Sequence, residues 1–514
     1  LVRIYRRSAS AVLASALLLA TLVPGVALAQ TTPEEVVPVA AGHLADALVD
    51  GERIETTFGG VTYPDQGLTA DVLLALAGSG VAADHIAAAT DWLDSQAGAY
   101  TGTDSGAVYA GAVAKLLIVT AATSRAPTMG DIDLVATLTA TEDGDGRFRD
   151  DSEFGDFSNV ITQSLAVIGL VRAADVAPST AAVAYLAGQA CDDGGFPEQL
   201  NPETCSSGVD STGFAVQALL AAGEDQVAGD AVQWLLDEQA ADGSLGGPDA
   251  GPNSNSTGLA ALAFSLAGEE GAATDARAFL VGLQEDCTGI APGGIRFSAG
   301  DAGDVTRATA QAVPGLTGVG LLEVTADGAS TEVPGLDCPP RFPDVDYPST
   351  VHAEGIVELT RLGVVKGRAD GTFGPDASIT RGQFATWFAG VAGIEAAAEW
   401  SFTDIDGSVH APAIAALEDA GAVSGYPDGT FRPSASVTRA QAASILANWL
   451  GLEPVEEDAF DDIEGSTHRT AINAAAEAGI VQGRDGSYEP DVVLRRDQAA
   501  SLLYSLATLL DVTS

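Results

Sequence analysis

The sequence predicts an all-α chain in two parts: a ring-like (α/α)6 helical domain, then three copies of a smaller helical unit. Two periodicities and the composition carry that expectation. From about Val39 to Val324, segments rich in Leu and small residues return at intervals of roughly 50 residues, the mark of one supersecondary unit repeated in a stack or ring. Beyond Arg341 a second period takes over, in which Gly363, Gly421 and Gly479 fall at one fixed spacing. With 46% hydrophobic residues the chain can bury cores in spite of a net charge of −48, so it does not read as a disordered acidic tail.

At the start of the chain, Arg3, Arg6 and Arg7 precede an apolar run from Ala9 to Val23, broken at Pro24-Gly25 and ending in Ala27-Leu28-Ala29. A basic start, a short apolar stretch and an A-x-A site predict a secretory signal peptide over residues 1–29; the run is short for a membrane span. No later segment is apolar for long enough to cross a bilayer, so a mature chain without a transmembrane segment is expected.

Six segments then read as inner helices: Leu68–Ala77, Gly106–Thr120, Val160–Arg172, Thr212–Ala222, Thr257–Ala267 and Val305–Leu322. They are apolar on nearly all sides, as helices inside a larger helical body are. Most follow a polar pair suited to capping, such as Asp104-Ser105, Ser158-Asn159, Asp210-Ser211 or Asn255-Ser256. Between them lies a second kind of helix with an aromatic-Leu pair and a later Gln: Trp92-Leu93 and Gln96, Tyr185-Leu186 and Gln189, Trp234-Leu235 and Gln239, Phe279-Leu280 and Gln284. Gly-rich turns such as Asp193-Gly194-Gly195-Phe196 and Asp242-Gly243-Ser244-Leu245 accompany them. A repeating helical hairpin must hide its two open ends, and closure into a double ring does so.

These segments resemble the α/α toroid superfamily of terpenoid cyclases and protein prenyltransferases, over residues 30–324. The superfamily's chemistry is not carried with the resemblance. Where triterpene cyclases have a D-x-D-D-T-A segment, Gly208-Val209-Asp210-Ser211-Thr212-Gly213 keeps only the middle acid. His43 and His85 stand apart from the cysteines, which leaves no recognisable Zn site. The Cys-Gly-Glu-Gln segment of thioester domains is absent, and Tyr63, Tyr100, Tyr109 and Tyr185 sit in no recognisable constellation. The expectation is a ring with a binding or structural role and no catalytic residue, metal or cofactor. Asn159 and Asp210 are the candidates for lining its mouth; the other assignment for both is a helix N-cap, worth about 1 kcal/mol each. Two further functions stay open, an enzyme acting on a polyisoprenoid or a polysaccharide and a receptor for a small, corrinoid-like ligand.

Residues 325–340 are dense in Gly, Pro and Ser without periodicity and read as a linker. The three repeats come next, at 341–400, 401–458 and 459–514. Each opens on an F-x-D segment (Phe342-Pro343-Asp344, Phe402-Thr403-Asp404, Phe460-Asp461-Asp462) and continues into a paired-glycine segment such as Leu362-Gly363-Val364-Val365-Lys366-Gly367. A turn with an aromatic comes after it (Asp370-Gly371-Thr372-Phe373, Asp428-Gly429-Thr430-Phe431, Asp485-Gly486-Ser487-Tyr488), then a proline and, six residues on, Arg381, Arg439 or Arg496. Thr380 with Gln383, and Thr438 with Gln441, have capping-box spacing, so a helix starts there. An arginine in a first turn lies at the positive end of the helix dipole, a poor place for stability but a good one for gripping an anion beside free N–H groups. The alternative partner is an acid of a neighbouring repeat. The third copy departs from the others, with Arg495 in place of the capping Thr and a loop from Gly483 to Asp485 that is one residue shorter.

This order of motifs resembles the S-layer homology module, over Arg341 to Ser514. The resemblance implies a pseudo-threefold unit that binds a secondary cell wall polysaccharide, often one bearing ketal-linked pyruvate, and so holds a protein at the cell surface; S-layer or other surface-lattice neighbours are the further expected partners. Carried onto this sequence, the polymer-binding candidates are Arg381, Arg439 and Arg496, with Asp344, Asp404 and Asp462 as groove or helix-cap acids and Gly367, Gly425 and Gly483 beside them. His352, His410 and His468 are succeeded by Ala353, Ala411 and Arg469, where the family often has an aromatic residue.

An exported chain with four cysteines invites disulfides. Three pairings are possible; the expectation is Cys191 with Cys205 and Cys287 with Cys338, and no CxxC segment favours a metal. Finally, 23 basic residues against 71 acidic ones exclude a general nucleic-acid binder, which needs clustered cations for phosphate.

Overall fold

The computed structural model describes residues 32–173, 177–247, 250–368 and 370–512; the expected signal peptide lies outside them. The chain divides into two compact units, one holding residues 32–286 together with 291–336, the other residues 287–290 together with 337–512.

Among the described residues of the first unit, twelve α-helices alternate between an outer and an inner ring. The outer ones are α1 (Pro33–Asp46), α3 (Ala83–Thr101), α5 (Leu134–Ala140), α7 (Thr180–Ala187), α9 (Asp225–Glu238) and α11 (Glu270–Val281). The inner ones are α2 (Gln66–Ser79), α4 (Ala110–Ala122), α6 (Val160–Arg172), α8 (Val209–Ala222), α10 (Ser254–Ala267) and α12 (Val305–Thr317). Each inner helix packs on the next and α12 returns to α2, while α1 lies against α2, α11 and α12. The ring is therefore closed, and no inner helix has an open side to protect.

Side chains that the hydrophobic pattern does not single out hold this register. Near the start of five inner helices a buried polar side chain accepts the backbone N–H of the preceding turn: Thr69 from Ile54, Gln163 from Phe148, Thr212 from Phe196, Thr257 from Leu245 and Thr309 from Ile295. The glutamines after the aromatic-Leu pairs explain themselves in two places. Gln239 Nε2 donates to Gly243 O in its own turn and to Ala272 O on α11; Gln284 Nε2 donates to Gly293 O and to Val36 O on α1, which completes the circle. Backbones come close between α10 and α12. A Cβ on Gly258 would lie 2.6 Å from Gln311 O, and one on Gly315 would lie 2.3 Å from Gly258 O.

Two expectations change here. Asn159 caps α6 by accepting from Thr162 N, but α8 and α10 begin earlier than expected, at caps Gly208 and Asn253, and Asp104-Ser105 belong to a 3-10 turn well before α4. The second correction concerns the linker. Residues 320–332 run across the C-terminal ends of inner helices as a strap: Arg172 donates to Leu321 O and Val324 O, Leu321 N donates to Gln217 Oε1, Ala326 N to Ala122 O and Ser330 N to Gly80 O. A segment with so many backbone partners is part of the ring unit, because those groups would otherwise face water singly.

The second unit holds α13 (Ala353–Arg361), α14 (Arg381–Val391), α15 (Ala411–Asp419), α16 (Arg439–Leu450), α17 (Arg469–Glu477) and α18 (Arg496–Leu509). Its symmetry is written in the backbone. Ile379 N donates to Leu494 O, Leu494 N to Val437 O and Val437 N to Ile379 O, at 3.0, 2.9 and 3.2 Å, and all three side chains are buried. Around this axis α14 packs on α15, α16 on α17 and α18 on α13, so each long helix takes its partner from the next repeat in the cycle. Among the described residues no helix is long and apolar enough to cross a membrane. The cysteines pair as expected, Cys191 with Cys205 and Cys287 with Cys338. The second bridge lies within the repeat unit, where Arg341 also donates to Cys287 O and Gly289 O.

Candidate functional site

The capping boxes at Thr380 and Thr438 form as their spacing requires, with Thr Oγ1 accepting from the third backbone N–H and Gln returning an acceptor to the cap N–H. They place the three arginines at the seams between repeats, and each reaches across to the next repeat in the cycle. Arg381 Nε donates to Phe431 O, Arg439 Nε to Tyr488 O and Arg496 Nε to Phe373 O. Each guanidinium also lies over an aromatic ring, Arg381 4.5 Å from Phe431, Arg439 4.7 Å from Tyr488 and Arg496 4.8 Å from Trp387. Among the described residues none of the three forms an ion pair with a carboxylate, so the acid expected as the alternative partner is a backbone carbonyl instead. Arg381 and Arg496 are only 9% and 6% exposed, and burial pushes both guanidinium groups below their ordinary range.

The acids are not helix caps. Asp344 accepts from Phe373 N and Gly374 N, Asp404 from Phe431 N and Arg432 N, Asp462 from Tyr488 N and Glu489 N. They clamp the turn whose carbonyl the arginine takes. A carboxylate between two turn amides satisfies donors that no ladder supplies, which the F-x-D spacing alone does not reveal. Gly367, Gly425 and Gly483 sit beneath the opening aromatics: a Cβ there would come within 2.5 Å of Phe342, 2.3 Å of Phe402 and 2.5 Å of Phe460.

One groove opens among these parts, with a volume of ≈ 480 Å³. Lys366, Gln383, Thr386, His410 and Arg496 line it together with Trp387, and so all three repeats contribute. Sequence reasoning passes over the histidine itself and marks only the residue after it. In the structure His410 Nδ1 shares a hydrogen bond with Thr386 Oγ1, His468 with Ser444 Oγ and His352 with Ser501 Oγ, and burial lowers the pKa of all three.

In the ring unit the two mouth candidates part company. Asn159 is a cap. Asp210, the second residue of α8, has a buried Oδ1 without a hydrogen-bond partner, and burial raises its pKa against the opposing effect of the Ser256 hydroxyl. Lys115 on α4 pairs with Asp71 on α2 at 2.7 Å, and Arg307 on α12 with Asp65 at 3.0 Å. These pairs stitch α2 to both of its ring neighbours. Among the described residues no cluster of His, Cys, Asp and Glu could hold a metal ion.

Comparison with known proteins agrees with this division. The S-layer homology domain matches residues 341–385, 401–443 and 459–500. An S-layer protein of Bacillus licheniformis is 32% identical over 169 residues, 32% of this chain and 19% of that protein. S-layer protein EA1 of Bacillus anthracis is 31% identical over 169 residues, with the same coverage, 32% and 19%. An uncharacterized cell wall amidase of the same organism is 32% identical over 146 residues, 27% of each chain. The chain thus spans about a fifth to a quarter of the length of these relatives. Among solved structures, the type II terpene cyclase MstE from Scytonema superposes with a TM-score of 0.45 and 16% identity, over 55% of this chain and 97% of that one. An unsaturated glucuronyl hydrolase specific for heparin gives 0.42 and 12%, over 56% and 96%. At that level of superposition the likeness says nothing about chemistry. The final third of the chain, with its cyclic helix pairs and seam arginines, carries three S-layer homology domains, and it is this part that the chain shares with S-layer proteins.

Proposed function

We propose that the three S-layer homology domains tether this protein non-covalently to an acidic secondary cell wall polysaccharide, with ketal-linked pyruvate as the acid group, and that the helical ring is what they display. One observation supports the reading above others. Three guanidinium groups sit at the seams, two of them almost wholly buried, and among the described residues none has a carboxylate partner. A buried charge left unpaired is costly, and a carboxylate on a ligand would offset that cost while using the fork's remaining N–H groups. The test is co-sedimentation of the full chain with purified wall sacculi before and after mild acid removal of ketal pyruvate. Retention on the first and loss on the second is expected; equal retention on both rejects the acid as the recognised group. Surface-lattice neighbours are a further part of this proposal.

The ring's own role is binding or structural. A second reading, a surface-tethered enzyme acting on a polysaccharide or polyisoprenoid, draws on Asp210 alone, since burial raises its pKa and so shifts it towards the protonated form that a general acid uses. Asp210→Asn would abolish such turnover of wall polysaccharide or a polyprenyl substrate while leaving wall retention intact.

A further inference from the structure

The three seams of the repeat unit occupy equivalent places but are not chemically equivalent. Where the first has Lys366, the second has Ser424 and the third Gln482; where the first has Trp387, the others have Ile445 and Leu502; and Gly390 is replaced by Asn448 and Ser505. In the second and third, the charges are already answered from within. Arg432 in the second pairs with Asp428 at 2.9 Å and lies 3.9 Å from the Tyr426 ring, which in turn covers Arg381 at 5.2 Å. In the third, Arg439 spends a second nitrogen on Gln482 O at 3.3 Å, and Arg495 binds Asp497 through both Nε and Nη2 at 3.0 and 2.8 Å. That aspartate is 4% exposed and occupies the place of Gly382 and Ala440.

The first seam is the contrary case. Lys366 is one of only two lysines in a chain with 71 acidic residues, and it is exposed. Arg368 sets its guanidinium in the space a Cβ on Gly374 would fill, 2.0 Å from that position, and its charge is felt at Arg496. Among the described residues Lys366, Arg368 and Arg496 have no carboxylate partner. Two such cations lining one cleft and a third beside it, with the Trp387 indole among the lining groups, make a site for a carboxylate carried on a sugar. A strongly acidic protein would gain nothing in stability by gathering them there without acids.

We propose that the groove lined by Lys366, Trp387, His410 and Arg496, with Arg368 beside it, is the one that takes the acid group of the wall polymer, and that the other two seams serve to build the threefold unit. The inference rests on the anchoring reading and narrows it from three sites to one. The test uses the full chain and purified wall polysaccharide bearing ketal pyruvate. Lys366→Ser with Arg368→Tyr gives the groove the residues of the second seam; Ser424→Glu and Gln482→Glu put a repelling charge at the other two seams. Expected are a loss of at least tenfold in affinity for the first variant, changes within twofold for the other two, and one bound polymer site per chain. Lys366 also allows a reading on the unmutated protein, because the other lysine, Lys115, is paired with Asp71 inside the ring: saturating polymer should slow acetylation of Lys366 by tenfold. Equal losses in all three variants, three sites per chain, or unprotected Lys366 overturn the groove assignment while leaving the anchor in place. A wild-type chain that ignores the acidic polymer overturns both.

Discussion

Asp344 and Arg496 hold the two sides of one residue: the carboxylate takes the N–H of Phe373 at 2.7 Å and the guanidinium donates to its C=O at 2.8 Å. Asp404 and Arg381 do the same at Phe431, Asp462 and Arg439 at Tyr488. The acid belongs to the repeat that owns the turn and the arginine to its neighbour in the cycle, so each turn is the rivet of a seam. Replacing Asp344 by Ala removes two charge-assisted bonds to backbone amides and frees the turn that Arg496 grips. A loss of about 2 kcal/mol is expected, read as a lower denaturant midpoint for the repeat unit with an unchanged transition of the ring unit. An unaltered midpoint would mean the turn keeps its shape without the clamp.

How much of this could be read in advance differs between the two halves. The alternation of buried and outer helices was legible because six apolar segments cannot be exposed, and the repeat of Gln239 and Gln284 marked turns that those side chains tie down. The helix starts at Thr380 and Thr438 were legible from one local spacing. The partners were not, because Arg381 meets Phe431 and Arg496 meets Phe373 across a symmetry that no window of sequence contains. For the same reason the acids expected in the groove or at helix caps proved to be turn clamps, and residues 320–332, poor in pattern, proved to be anchored through backbone groups that every residue has.

The seam histidines should make the repeat unit sensitive to mild acid. Burial lowers the pKa of His352, His410 and His468 in the folded protein, with Asp497 opposing it at His352 and Asp491 at His468, whereas in the unfolded chain a histidine titrates near about 6.5. The unfolded state therefore binds more protons as the pH falls. Their contribution is fully present above about pH 6.5 and declines as the pH drops through the folded values. Guanidinium melts between pH 7.5 and 5 should show this slope in the wild-type repeat unit and a flatter one in the triple His→Asn variant. Asp428, held near about 2 by Thr430 and Arg432, adds a separate decline only below pH 4, since its stabilisation is lost as its own carboxylate is protonated.

Glycines in the ring unit divide by what surrounds them. Gly258→Ala should cost about 1–3 kcal/mol, because a methyl there meets the Gln311 carbonyl and the α12 backbone and forces the two inner helices apart. Gly229 on outer helix α9 has nothing within 4 Å of its would-be Cβ, and Gly229→Ala should stabilise the same unit by about 0.5–1 kcal/mol through helix propensity alone. Calorimetry of both variants decides it: shifts of one sign would show that the α10–α12 approach does not limit packing.

The strap can be loosened without touching an inner contact. Arg172 ends α6 and donates to the carbonyls of Leu321 and Val324; burial lowers its pKa, with Glu323 working the other way, so its charge is tolerated there because two carbonyl dipoles receive it. Removing the guanidinium by Arg172→Ala leaves those carbonyls without their donor, while Leu321 N, Ala326 N and Ser330 N keep acceptors on Gln217, Ala122 and Gly80. The segment should therefore open more often without detaching. Amide exchange of Leu321, Ala326 and Ser330 is expected to quicken about tenfold, the equivalent of about 1.4 kcal/mol of local stability, with the amides of α6 and α8 unchanged. Exchange that quickens throughout α6 would instead make Arg172 a support of the helix itself, and unchanged exchange in the strap would mean that the backbone bonds suffice to hold it.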